Sequence, residues 1–114
     1  MYQDDQTLID ILNFARLAVK YVKSSSFEEF VASEVDRICV THELLMLGEA
    51  CRRLSSEFRD SHTEIDWLKW MRLRNSIIHV YHRVNNLEIY QVVKNDLPDL
   101  ISAIVKFAPK PESE

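Results

Sequence analysis

Glycine is almost missing from this chain: one residue, Gly48, in 114. Tight hairpin turns and phosphate-cradling loops use backbone at positive φ, which glycine adopts without steric cost. One glycine cannot build a Gly-x-Gly-x-x-Gly turn or a Walker loop, so nucleotide sites of those two kinds are excluded. Proline is scarce and late: Pro98, Pro109 and Pro111. Nothing before Pro98 therefore breaks a helix by removing a backbone N–H. No apolar run approaches the roughly 20 residues of a bilayer span. The N-terminal Met1-Tyr2-Gln3-Asp4-Asp5 is acidic where a secretion signal is basic. A cytoplasmic protein without a membrane partner is expected. Cys39 and Cys51 are the only cysteines. On one helix they would stand about 18 Å apart along the axis, too far for a disulfide. With no Cys or His neighbours at ligand spacing they make no zinc site, so no metal is expected.

The formal net charge of −4 argues against coating nucleic acid by bulk electrostatics, but leaves room for a local basic site. Apolar residues make up 46% and charged residues 28% of the chain, enough for one domain with a core. That domain is expected over residues 1–108, with a polar C-terminal tail at 109–114. Leu8, Leu12, Ala15, Val19 and Val22 recur in a 4-3-4-3 spacing, one stripe of a helix over Asp4 to Lys23. Ile11, Phe14, Ala18 and Tyr21 form a second stripe, giving that helix neighbours on two sides. Ser24 to Ser26 end it, and Ser26 before Glu28 and Glu29 is a helix N-cap. From Phe27 to about Phe58, Val40, Leu44, Leu47, Cys51 and Leu54 repeat the spacing, while Val35, Cys39, Met46 and Ala50 lie opposite. A helix apolar on two faces is central in a bundle or shared with another chain. The polar stretch from Ser55 to Thr63 reads as a loop. Asp66 or Thr63 caps a third helix running to about His82, Asn85-Asn86 marks a turn, Leu87, Tyr90 and Val93/Lys94 form a short helical segment, and Asp96 with Pro98 starts a last helix. The expected fold is all-α, an antiparallel bundle of four or five helices.

The third helix is the unusual one. Between Asp66 and Arg83 it carries Lys69, Arg72, Arg74 and Arg83 against the one acid Asp66. At about 100° per residue, Trp70, Leu73, Ile77 and Val80 share the core side. Asn75, His79 and His82 cluster opposite within about 60°, with Arg72 and Arg83 beside them. Arg74 and Tyr81 share a third edge, flanking the core. A histidine exchanges protons near neutral pH. An arginine clamps phosphate oxygens and stabilises charge developing on phosphorus. Asn75, one turn before His79, can orient its imidazole or take a phosphate oxygen. These are the parts for metal-independent RNA cleavage, in which a base activates the ribose 2′-OH against the adjacent phosphate. A solvated polar face with core tryptophans uses the same residues without chemistry. Arg74 and His79 stand about 140° apart, so one ideal helix does not aim both at one phosphate. Two copies meeting across a two-fold axis can, which asks for a homodimer.

Arg74-Asn75-Ser76-Ile77-Ile78-His79-Val80-Tyr81 resembles the Arg-x4-His pattern of HEPN domains, in the Arg-Asn-x-x-x-His-x-Tyr form of the HepT branch of HepT/MntA toxin–antitoxin modules. Gly48-Glu49-Ala50 with Arg53-Leu54-Ser55, Trp67, and Asp96-Leu97-Pro98 with Leu100 are similar to that branch as well, so the likeness reaches to about Phe107. The resemblance implies a helical dimer joined through the motif-bearing helices and acting on RNA as an endoribonuclease. Arg74 and His79 would lie in the dimer cleft, supported by Asn75. Arg72, His82 and Arg83 are further candidate phosphate contacts. It also implies a partner, an MntA-like minimal nucleotidyltransferase antitoxin that silences the toxin by transferring AMP to Tyr81 (AMPylation). No resident cofactor is implied. Arg72-Leu73 and Val80 depart from the branch's usual residues, which leaves substrate preference open. A competing reading keeps the fold and the nucleotidyltransferase partner but makes the chain a catalytically inactive binding module. Mid-helix Gly48 is expected to mark the close approach of another helix, either the motif helix or its dimer mate.

Overall fold

The two stripes of the first segment fold as expected. In the computed structural model, which describes residues 2–80 and 84–109, α1 runs Tyr2–Val22. It buries Leu8, Ile11, Leu12, Ala15, Ala18 and Val22, drawn from both stripes because it is gripped from two sides. Ser26 then builds a full capping box on α2 (Phe27–Ala32): its Oγ accepts from Glu29 N, and Glu29 Oε1 accepts from Ser26 N at 2.9 Å. This satisfies two of the backbone N–H groups that every helix start leaves open.

The stretch expected to run from Phe27 to Phe58 is divided. Ser33 ends α2 and starts α3 (Glu34–Arg53), its extended backbone turning the chain while its Oγ accepts from Asp36 N at 3.2 Å. α3 is the central helix. Val40, Leu44, Leu47, Ala50 and Cys51 are buried on it, and α1 and α5 pack on its two sides. Of the second apolar face, Ala50 is buried, Cys39 and Met46 are half-buried and Val35 is exposed. Both cysteines lie on α3 as free thiols. Burial pushes the Cys51 thiol up to about 12, which leaves it inert at neutral pH.

The polar stretch read as a loop contains a short helix, α4 (Ser56–Ser61), with Ser55 as its cap. Ser55 also meets α1. Its N–H and its hydroxyl both donate to the Asp4 carboxylate, at 2.9 and 2.7 Å, and Asp4 is buried. After α5 (Trp67–His79), α6 (Asn86–Gln91) passes through one π-helical turn, Val92–Asp96, directly into α7 (Leu97–Val105). Asn85, expected at a turn, caps α6 by accepting from Glu88 N at 3.0 Å. The count among the described residues is therefore seven helical segments rather than four or five: α6 is the short segment expected around Leu87 and Tyr90, and the surplus is the six-residue α2, divided from α3, and α4. No strand occurs among the described residues, and the all-α bundle stands. No helix among them is long and apolar enough to cross a membrane.

Candidate active site on the fifth helix

α5 starts where Asp66 accepts from Lys69 N at 3.2 Å, so the capping residue is Asp66 and not Thr63. Trp67, Trp70, Leu73 and Ile77 are buried along one side, the side that helical geometry assigns to the core. Trp67 meets its polar need by donating from Nε1 to the His62 carbonyl at 3.0 Å. Lys69 is tied to Asp96 at 2.7 Å, joining α5 to the turn before α7. The helix closes earlier than the pattern suggested: His79 is its last residue, and Val80 caps it through its N–H to Ser76 O at 3.1 Å. Tyr81, His82 and Arg83, named above for modification and phosphate contact, lie outside the described residues.

The opposite side of α5 faces outward. Arg72, Asn75 and His79 are exposed there, and with them Leu68 and Ile78, apolar side chains 53% and 48% exposed.

Arg74 stands on the flank between these two sides, as expected, and there it meets α3. The reason is Gly48. A Cβ at that position would lie 2.7 Å from the Trp70 carbonyl oxygen and closer still to Arg74 Cβ. The missing side chain is what lets the two backbones approach. The expected close contact is thus with the motif helix of the same chain.

That contact delivers Glu49 to the arginine. Glu49 Oε2 lies 2.9 Å from Arg74 Nη2, off the axis of any N–H, so the pair is held by charge rather than by a directed hydrogen bond. Arg74 Nη1 donates to Asn75 Oδ1 at 3.0 Å. Arg74 Nε is buried with no acceptor. The guanidinium is therefore held at two of its three nitrogens, with the Nη nitrogens still carrying unspent N–H groups for an anion. Asn75 uses its amide oxygen on Arg74, one of the groups it was expected to serve being the imidazole of His79 instead. No hydrogen bond joins His79 to Arg74 or Asn75. The structure brings together Arg74, Asn75 and Glu49, and sets His79 apart on the exposed side.

In the sequence Glu49 belongs only to the short Gly48-Glu49-Ala50 signature. Its signal was the glycine beside it, since a residue next to a close helix contact is well placed to touch what the contact brings. An open groove of about 530 Å³ lies at the other end of α5, lined by Arg59, Asp60, Asp66, Trp67 and Met71 among others. It contains none of the candidate residues and more acid than base. No group of three or more His, Cys, Asp or Glu among the described residues is placed to hold a metal ion.

Residues 11–107 match the sequence profile of a family described as Ribonuclease HepT-like. A candidate RNase of Methanocaldococcus jannaschii is 30% identical over 93 residues, which is 82% of this chain and 85% of that protein. A candidate ribonuclease HepT of Thermococcus cleftensis is also 30% identical over 93 residues, covering 82% and 84%. A candidate RNase of Caldanaerobacter subterraneus subsp. tengcongensis is 30% identical over 100 residues, covering 88% and 89%. No solved structure gives a significant match.

Proposed function

The chain belongs to the HepT-like ribonuclease family, and on that premise we propose that it is a metal-independent endoribonuclease. In this reading a ribose 2′-OH attacks the adjacent phosphate, and the 5′-oxygen of the next nucleotide leaves. His79 exchanges the proton of the attacking or leaving oxygen. Arg74 binds the phosphate and stabilises the charge that grows on it as the new bond forms. Asn75 keeps the guanidinium in register from the neighbouring position. The observation that carries the reading is the Arg74 guanidinium, held by Glu49 and Asn75 beside an exposed face that presents His79.

The site is composite in this proposal, with two copies of a domain spanning residues 1–108 meeting through their α5 helices. The angle of about 140° between Arg74 and His79 on one helix supports it, and so do Leu68 and Ile78, apolar and uncovered on the side that carries His79. We propose further that the chain is the toxin of a toxin–antitoxin module. Its partner, a minimal nucleotidyltransferase antitoxin, would silence it by AMP transfer: the Tyr81 hydroxyl attacks the α-phosphorus of ATP and pyrophosphate leaves. An adenylyl group there adds bulk and negative charge one residue from Val80 and seven from Arg74, weakening phosphate binding.

The deciding experiment is His79→Ala. Cleavage of a fluorogenic oligoribonucleotide, undiminished by EDTA in the wild type, should be abolished in the variant while its melting temperature and dimer mass stay unchanged. A wild type that cleaves nothing yet binds the nucleotidyltransferase is the binding module instead. Strict dependence on added Mg²⁺ would refute the mechanism, and co-expression with the nucleotidyltransferase should add one AMP mass to the peptide holding Tyr81.

A further inference from the structure

Arginine has five N–H donors on a long flexible stem, and its value at a reacting phosphate depends on where those donors point. In this chain the stem of Arg74 leaves α5 at the place where α3 comes closest, because Gly48 has no side chain to hold the helices apart. Glu49, the next residue on α3, therefore sits beside the guanidinium rather than beside solvent alone. The carboxylate oxygen is 2.9 Å from Nη2, and the two side chains are 22% and 36% exposed. Arg74 Nε is sealed in protein without an acceptor, an arrangement that costs free energy and persists only where the neighbours impose it.

We propose that Glu49 is a positioning residue for RNA cleavage: its negative charge pins Nη2 from α3 while Asn75 pins Nη1 from α5, which fixes the remaining Nη donors for the scissile phosphate. The inference rests on the ribonuclease reading given above for Arg74. Charge is the operative property, since the pair is off the N–H axis and so gains little from Glu49 as a hydrogen-bond acceptor. The same charge repels the incoming phosphate. Glu49 thus weakens ground-state binding while strengthening the alignment that matters when the phosphorus becomes five-coordinate, a division that raises kcat and not affinity.

Glu49→Gln keeps shape and removes charge, so it separates this role from packing. Displacement of a positioned group by about 1 Å costs up to ~100-fold in rate, and we expect kcat to fall by about tenfold or more while KM stays level or drops. The melting temperature should move little, because a partly exposed ion pair contributes little to stability. Glu49→Asp, which restores the charge, should recover part of kcat. The second readout needs no catalysis. The buried Arg74 Nε–H should give a slowly exchanging ¹H–¹⁵N signal, assigned by its loss in Arg74→Lys, that broadens into fast exchange in Glu49→Gln and returns in Glu49→Asp. A Glu49→Gln protein with wild-type kcat, or with an unchanged Arg74 Nε–H signal, overturns the proposal. So does a parallel loss of kcat and melting temperature, which is what packing alone would give. If the wild type cleaves no RNA while the Nε–H signal responds as described, the ribonuclease reading fails and the positioning of Arg74 by Glu49 stands.

Discussion

Replacing Gly48 by alanine sets two effects of known size against each other. Alanine is favoured over glycine inside a helix by about 1 kcal/mol, and backbone conformation gives no other reason for a glycine, since Gly48 does not have positive φ. Against that gain stands the contact with α5. The new methyl would lie 2.7 Å from Trp70 O, and nearer to Arg74 Cβ, where carbon atoms settle at about 3.5–4.0 Å. Neither neighbour is the free end of a flexible side chain, so the helices must part by roughly 1 Å, and overpacking of this kind costs about 1–3 kcal/mol. Rigid neighbours place it near the upper end, for a net loss of about 2 kcal/mol. In a domain of this size 1 kcal/mol is worth about 4 °C, so Gly48→Ala should melt about 8 °C below the wild type by circular dichroism. The shift should be the same at two protein concentrations tenfold apart, because the clash is within one chain. A melting temperature equal to or above the wild type's would mean that the helices yield freely and that the glycine does not set their distance.

Other consequences follow from contacts already described. Burial raises the Asp4 carboxyl, and the two hydrogen bonds from Ser55 outweigh it, so the group is held below the ordinary carboxylate range. Its contribution is therefore full above the unfolded value near about 4 and is lost as pH falls through the folded value. Asp4→Ala should cost about 2 kcal/mol at pH 7 and progressively less as pH falls below the unfolded value, read from urea midpoints across an acid series; a loss independent of pH would refute the assignment. Ser33→Ala removes the cap of α3 and should lower the melting temperature by about 4 °C, the equivalent of about 1 kcal/mol. Iodoacetamide at pH 8 should alkylate the half-buried Cys39 and leave Cys51 untouched until denaturant is added, as peptide mass mapping will report.

What the sequence made legible was whatever depends on one helix at a time. The spacing of Val40, Leu44, Leu47 and Cys51 marked a buried stripe, and all four are buried. The wheel put Asn75 and His79 outward and Arg74 on a flank, as they are found. The division at Ser33 was not legible, because the flanking residues are good helix formers. The chain turns there by backbone geometry and a cap, with Arg37 reaching back to the Val31 carbonyl. α4 was missed because Phe58 is the one apolar residue in Ser56–Ser61, and one residue defines no period. The contact of Glu49 with Arg74 depends on how α3 and α5 align, a relation between segments that no pattern within either could supply.

The π-helical turn between α6 and α7 bears on how this chain can change in length. A π turn holds one more residue than an α turn, and here Ile89, Val93 and Leu97 are buried at intervals of four. Four residues overshoot an ideal α turn by about 40°, and the wider turn absorbs the excess. Pro98 stands in the first turn of α7, so removing one residue from the π turn, such as the exposed Asn95, would place that proline inside an unbroken α-helix, at a cost of about 3 kcal/mol. The residue that looks spare therefore has two uses: it keeps Ile89, Val93 and Leu97 on one side, and it lets a chain that must pass Pro98 continue as a helix on both sides of it.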